Sequence, residues 1–194
     1  SGEVIFINQT LAEKYGVQIP EGLHWNFETF ADFVRKGTID LNQDGKIDIH
    51  GLGVIINPGK RGIWSFFLYD NPGLADNMDV HSPQFKKNFN ALYQLIVNDK
   101  VTPIPTLSDN EGSVSTAFLS GKYLCYAGGL WVTNLIKKGQ ENGTITDRFS
   151  IKAFPAPNPE KAFSFFSIAG YSLSKQKDSR KRDLCLQFMK QIYD

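Results

Sequence analysis

Apolar residues along this chain recur in two periods, and the switches between them predict its elements. Val4 to Ile7 is a short apolar run of strand character. Asn8 can cap a helix over Gln9 to Tyr15, which Gly16 ends as the residue just past its last turn. After the turn Gln18 to Gly22, Asn26 caps a second helix with Phe27, Phe30, Phe33 and Val34 on one face, running out at Gly37. Leu52 to Ile56 reads as a strand, Asn57 to Arg61 as a polar Pro/Gly turn, and Trp64 to Tyr69 as an apolar helix. Ser82-Pro83 opens the clearest amphipathic helix, carrying Phe85, Phe89, Leu92, Tyr93 and Ile96, with Pro103 and Pro105 closing it. Val114 to Leu119 is a helix stopped by Gly121, and Tyr123 to Ala127 is a strand. Gly128-Gly129 is read as the turn into a helix from Trp131 to Lys138 that Gly139 ends. A strand from Phe149 to Phe154, a Pro-rich connection, a strand from Phe165 to Ala169 and a helix bearing Leu184, Phe188, Met189 and Ile192 complete the chain. By periodicity Phe27, Phe30, Phe85, Phe89 and Phe188 belong to the core. Helices alternating with short strands make this an α/β protein.

Composition narrows the function classes. The 194 residues are long enough to bury a core as one large or two small domains, and 41% hydrophobic with 21% charged content is ordinary for a globular protein. A net charge of +1 provides no electrostatic footprint for nucleic acid or an anionic membrane. Aromatic residues reach 13%, which suits a protein that stacks rings on flat ligand faces, although most rings must fill the core. The apolar runs all fall short of the roughly 20 residues of a membrane span. Cys125 and Cys185 each lie in an apolar segment and read as buried free thiols. The abrupt start at Ser1-Gly2 followed by a strand reads as the edge of an excised piece.

The most specific chemistry lies between Asp40 and Gly51. Asp40, Asn42, Asp44 and Asp48 stand at positions 1, 3, 5 and 9 of a calcium-type loop, with Gly45 at the sharp turn of position 6 and the Lys46 carbonyl as a backbone ligand. Position 12, where an EF-hand needs a bidentate Glu, is Gly51. That loss lowers the expected Ca2+ affinity and points away from an EF-hand. The alternative is an empty Asx-rich turn, because Asp and Asn side chains bond their own backbone. His24, His50 and His81 show no metal spacing. Gly170-Tyr171-Ser172-Leu173-Ser174 fails the nucleophile-elbow pattern at its last position, and no P-loop, dinucleotide glycine run or CxxC pair occurs. Asn8-Gln9-Thr10 and Asn142-Gly143-Thr144 match glycosylation acceptors, a pattern frequent by chance.

Three segments in order resemble the family 1 bacterial extracellular solute-binding proteins, the maltose-binding-protein-like receptors of sugar ABC transporters. The first is Val4-Ile5-Phe6-Ile7-Asn8 with its helix, followed by Trp25-Asn26-Phe27-Glu28-Thr29-Phe30. The second and most specific is Ala117-Phe118-Leu119-Ser120-Gly121-Lys122 with Tyr126, Gly128-Gly129 and Trp131. The third is the Phe154-Pro155-Ala156-Pro157 connection, Ala169-Gly170-Tyr171-Ser172 and the closing amphipathic helix. The resemblance spans nearly the whole chain but only part of such a receptor, whose N-terminal part has no counterpart here. It implies a type II periplasmic-binding-protein-like α/β fold, mostly the C-terminal lobe. In that reading residues 1–154 form the lobe, 155–162 cross between lobes, and 163–194 return as a strand-helix unit toward the missing one.

The resemblance also implies a function. The chain would be the partial substrate-binding component of an ABC sugar importer, binding carbohydrate between two lobes and delivering it to a membrane permease. It would be a monomer and not an enzyme, located outside the cytoplasm and anchored as a lipoprotein in the full-length protein. Trp131 is the leading ligand residue, since sugar C–H faces pack on flat rings and glycines such as Gly129 let backbone N–H groups approach closely. Trp64, Arg61 with its hydrogen-bonding fork, and Tyr171 are further candidates. The alternative is a calcium-binding adhesion or scaffold module centred on Asp40 to Gly51, and a hydrolase with an unfamiliar site is the third class.

Overall fold

The computed structural model describes residues 3–56, 66, 79–103, 110–156, 173–175 and 178–193. Its elements run β1 (Glu3–Asn8), α1 (Gln9–Lys14), α2 (Phe27–Lys36), β2 (His50–Gly53), α3 (Pro83–Tyr93), a π-helical turn (Gln94–Asn98), α4 (Glu111–Leu119), β3 (Tyr123–Gly129), α5 (Val132–Glu141), β4 (Phe149–Lys152) and α6 (Ser179–Tyr193). The strands form one sheet in the order β2-β3-β1-β4. β2 pairs parallel with β3, whereas β1 pairs antiparallel with both β3 and β4.

The period-2 pattern of β1 divides the core. Ile5 and Ile7 join Leu52, Cys125, Phe30 and Val34 in one apolar cluster, and Phe6 joins Tyr126, Phe118 and Val132 in another. Helix α2 delivers Phe30, Phe33 and Val34 to the first cluster, as its spacing predicts. The caps are those expected: Asn8 Oδ1 accepts from Leu11 N at 2.9 Å and Asn26 Oδ1 from Thr29 N at 2.8 Å. Asn8 is wholly buried, and its Nδ2 donates to Asp147 Oδ2 at 2.7 Å, so its amide is spent inside the fold.

Several expectations are corrected. Phe89 is 50% exposed and Phe188 64% exposed, so neither belongs to the core. In α3 the buried line runs through Leu92 and on to Leu95 in the π-helical turn, which leaves Phe89 and Tyr93 on the flank. Periodicity marks an apolar face on α6, but it carries no information about what packs there. The strand read from Leu52 begins two residues earlier, at His50, because its ladder to β3 opens with His50 opposite Tyr123. Gly128 and Gly129 do not turn the chain. They continue β3 opposite Val4 and Glu3, and a Cβ at Gly128 would sit 2.2 Å from the Tyr126 ring. In β4 the alternation is inverted, with Ile151 38% exposed and Lys152 only 3%. The expected helix from Trp64 to Tyr69, of which Phe66 alone is described and helical, and the strand Phe165 to Ala169 lie outside the described residues.

Candidate functional site

The registers bring several chain ends to one edge of the sheet. Gly53 lies opposite Tyr126, Gly129 opposite Glu3, and Lys152 opposite Ile5, so β2, β3 and β4 all end at the edge where β1 begins. In open α/β sheets, ligands bind outside the carboxyl ends of the strands. Trp131 stands at this edge, two residues past β3 and immediately before α5. Its ring is half-buried against the Phe6–Tyr126 cluster, and neighbouring Leu130 is 37% exposed. The start of α5 has no side-chain cap; the Thr133 and Asn134 N–H groups bond back to the carbonyls of Leu130 and Trp131. An indole held by the core can offer a flat apolar face to a ligand. Gly129 itself is buried within the ladder. From this edge the chain continues past Ile56 and past Ala156 into the segments holding Arg61, Trp64 and Tyr171, and those three residues lie outside the described ones.

Lys152 shows what periodicity missed at this edge. Its ammonium donates to the carbonyl oxygens of Gly22 and Glu21 and sits 5.2 Å above the Trp25 ring. Burial holds its pKa below the usual lysine range. The indole N–H of Trp25 donates to the Ala153 carbonyl at 2.7 Å, while Ala153 and Ala156 N–H groups donate to Leu23 and Trp25. An extended segment therefore runs along the chain just past β4 and fixes its exit from the sheet. The readable signal was the Trp in a polar turn, not the lysine.

The Asp40–Gly51 loop lies between α2 and β2, closed by a bridge between Ile39 and Ile49. Asp40 accepts from Gly45 N at 2.8 Å, Asn42 from Asp44 N at 3.0 Å, Asp44 from Lys46 N at 2.8 Å and Asp48 from Leu41 N at 2.7 Å. Gln43 and Gly45 adopt positive φ, 59° and 86°. Among the described residues no group of three or more His, Cys, Asp or Glu side chains is placed to hold a metal ion. Gly51 has a structural duty of its own: a Cβ there would lie 1.8 Å from the Val34 carbonyl oxygen. Its own carbonyl accepts from the buried Cys125 thiol at 2.9 Å, and burial raises the pKa of that thiol. Beside the loop, His50 Nδ1 lies 3.1 Å from the Lys100 carbonyl, and burial lowers its pKa despite that bond.

No protein-family model and no curated protein matches the chain. Solved structures do. A maltose/maltodextrin-binding domain from Bdellovibrio bacteriovorus, bound to maltotriose, matches with a TM-score of 0.66 at 20% identity over 97% of this chain and 46% of that one. A solute-binding protein of an ABC transporter from Thermotoga lettingae, bound to alpha-D-tagatose, matches at 0.59 and 18% over 84% of this chain and 41% of that one. A family 1 extracellular solute-binding protein from Bifidobacterium longum subsp. infantis matches at 0.56 and 16% over 97% and 48%. The chain has the type II solute-binding-protein fold. It spans less than half the length of each of these solute-binding proteins. Among the described residues no helix is long and apolar enough to cross a membrane.

Proposed function

We propose that this chain is one lobe of a carbohydrate receptor that serves an ABC importer. The fold likeness to sugar-bound solute-binding proteins carries the reading, above all the maltotriose complex matched over 97% of this chain. Trp131, at the carboxyl edge of the sheet, supplies a stacking platform for a sugar ring. Arg61, Trp64 and Tyr171 are further candidate sugar contacts. A second lobe closes over the sugar, and the closed form is what a permease recognises. The receptor works outside the cytoplasm as a monomer, held at the membrane by a lipid anchor in the full-length protein, and performs no chemistry on its ligand.

A single lobe presents half a cleft, so its binding should be weak. Calorimetry of the isolated chain with maltotriose and with tagatose should show no micromolar binding. Micromolar affinity in this chain alone would contradict the half-cleft reading.

We assign the Asp40–Gly51 loop a bracing role that needs no calcium. Its side-chain oxygens accept the loop's own N–H groups, which makes the turn self-supporting. Thermal unfolding in millimolar calcium and in excess chelator should give the same Tm. A Tm raised by calcium would restore Asp40, Asn42, Asp44, Lys46 and Asp48 as a metal site, by mass action on the folded state.

A further inference from the structure

We propose that Asn142 is a self-modifying site, converting to aspartate and isoaspartate through a cyclic imide. The sequence contains a single Asn-Gly pair, Asn142-Gly143, and every other asparagine is followed by a residue bearing a side chain. Gly143 has no Cβ to crowd an attack by its own backbone nitrogen, and its φ of 74° marks a conformation suited to glycine. Both residues are exposed at the end of α5.

Two contacts polarise the amide carbon, and ring closure requires the Asn142 backbone to rotate out of its resting ψ of 3°. Asn142 Oδ1 accepts twice from Thr144, from Oγ1 at 2.7 Å and from the backbone N–H at 3.1 Å. These two donors withdraw charge from the Cγ carbonyl, and they stand where negative charge gathers when a nucleophile adds to it. The attacking group is only loosely held, since Gly143 N–H reaches the Gln140 carbonyl at 3.3 Å. Among the described residues Asn142 Nδ2 has no hydrogen-bond partner, so the leaving nitrogen faces water.

The steps balance without an outside reagent. The Gly143 N–H loses its proton to solvent base, and the nitrogen forms a bond to Asn142 Cγ. The Cγ–Nδ2 bond breaks, and ammonia departs with a proton from water. Water then opens the imide at either carbonyl, leaving aspartate or isoaspartate; overall, asparagine and water become the acid and ammonia. The new carboxylate stands at the carboxyl end of α5, where the helix dipole disfavours it. Isoaspartate also lengthens the backbone in a turn that packs Ile145 tightly on Gly139. Trp131 lies at the opposite end of α5, so its surroundings stay unchanged.

The test is to age the purified chain in mildly alkaline buffer, with peptide mass mapping and isoaspartyl-methyltransferase labelling over time. The peptide holding Asn142 should show the amide-to-acid mass gain before any other asparagine does, faster at higher pH and largely as isoaspartate. Asn142→Gln should stay unmodified, because its ring would have to close one atom larger. Thr144→Val should react several-fold more slowly with an unchanged circular dichroism spectrum, and Thr144→Ser should recover the rate. Earlier modification at another asparagine, or a Thr144→Val chain as fast as the wild type, would overturn the proposal.

Discussion

Gly51→Ala is expected to lower the melting temperature sharply, and Gly51→Glu to prevent a folded chain from accumulating. The added Cβ would lie 1.8 Å from the Val34 carbonyl oxygen and 2.6 Å from its carbon, deep inside van der Waals contact. Both neighbours are anchored. Val34 is fully buried on α2, and its carbonyl already accepts from Thr38 Oγ1 at 2.8 Å. On the other side, β2 is held in its parallel ladder, and the Gly51 carbonyl accepts from Cys125. A methyl group there must push α2 off the sheet. Overpacking of this kind costs about 3 kcal/mol, which for a chain of this size lowers Tm by roughly 6–12 °C. The same substitution separates two views of the loop. In a calcium loop of EF-hand type, Glu at position 12 would complete the ligand set and raise affinity. Here it is expected to collapse the junction between helix and strand. Differential scanning calorimetry checks both variants, and an unchanged Tm for Gly51→Ala would show that α2 and β2 are not packed this closely.

That result bears on how much was legible in the sequence. The Asx-rich loop and its missing Glu were both readable, but the reason for the glycine was not. The contact between Gly51 and Val34 joins residues far apart along the chain, and no local pattern encodes it. Element types read well wherever a cap and a periodic face agreed, as at Asn8, Asn26 and Ser82. Boundaries failed where pairing partners decided them: β2 begins at His50 because Tyr123 lies opposite, and Gly128-Gly129 stays extended because β1 pairs with it. Phe89 and Phe188 show the limit of periodicity, which finds an apolar face without finding its cover. Lys152 shows the reverse. A charge can replace an apolar residue in the interior when backbone carbonyls and an indole face receive it, and neither partner is near it in sequence. Trp131 was legible as a candidate through its motif, and the structure adds its place at the carboxyl edge of the sheet.

Trp131→Ala is expected to remove most of the sugar affinity of the proposed two-lobed receptor while leaving this chain folded. The indole is half-buried, so its truncation removes an exposed face and only part of a core contact. An aromatic anchor of this kind contributes about 2 kcal/mol or more, roughly a thirtyfold change in Kd. Trp131→Phe keeps a flat ring and should retain much of the affinity. The stability of both variants, read by thermal unfolding without ligand, should stay close to that of the wild type.

Calorimetric titration of the full-length protein decides whether this chain is half of a sugar receptor. A panel of mono- and oligosaccharides headed by maltotriose serves as the probe, with the wild type and Trp131→Ala measured side by side. A saturable heat is expected with at least one sugar in the wild type, with affinity reduced about thirtyfold by Trp131→Ala. A two-lobed protein that binds no sugar, or one that binds equally well without the indole, would contradict the receptor reading.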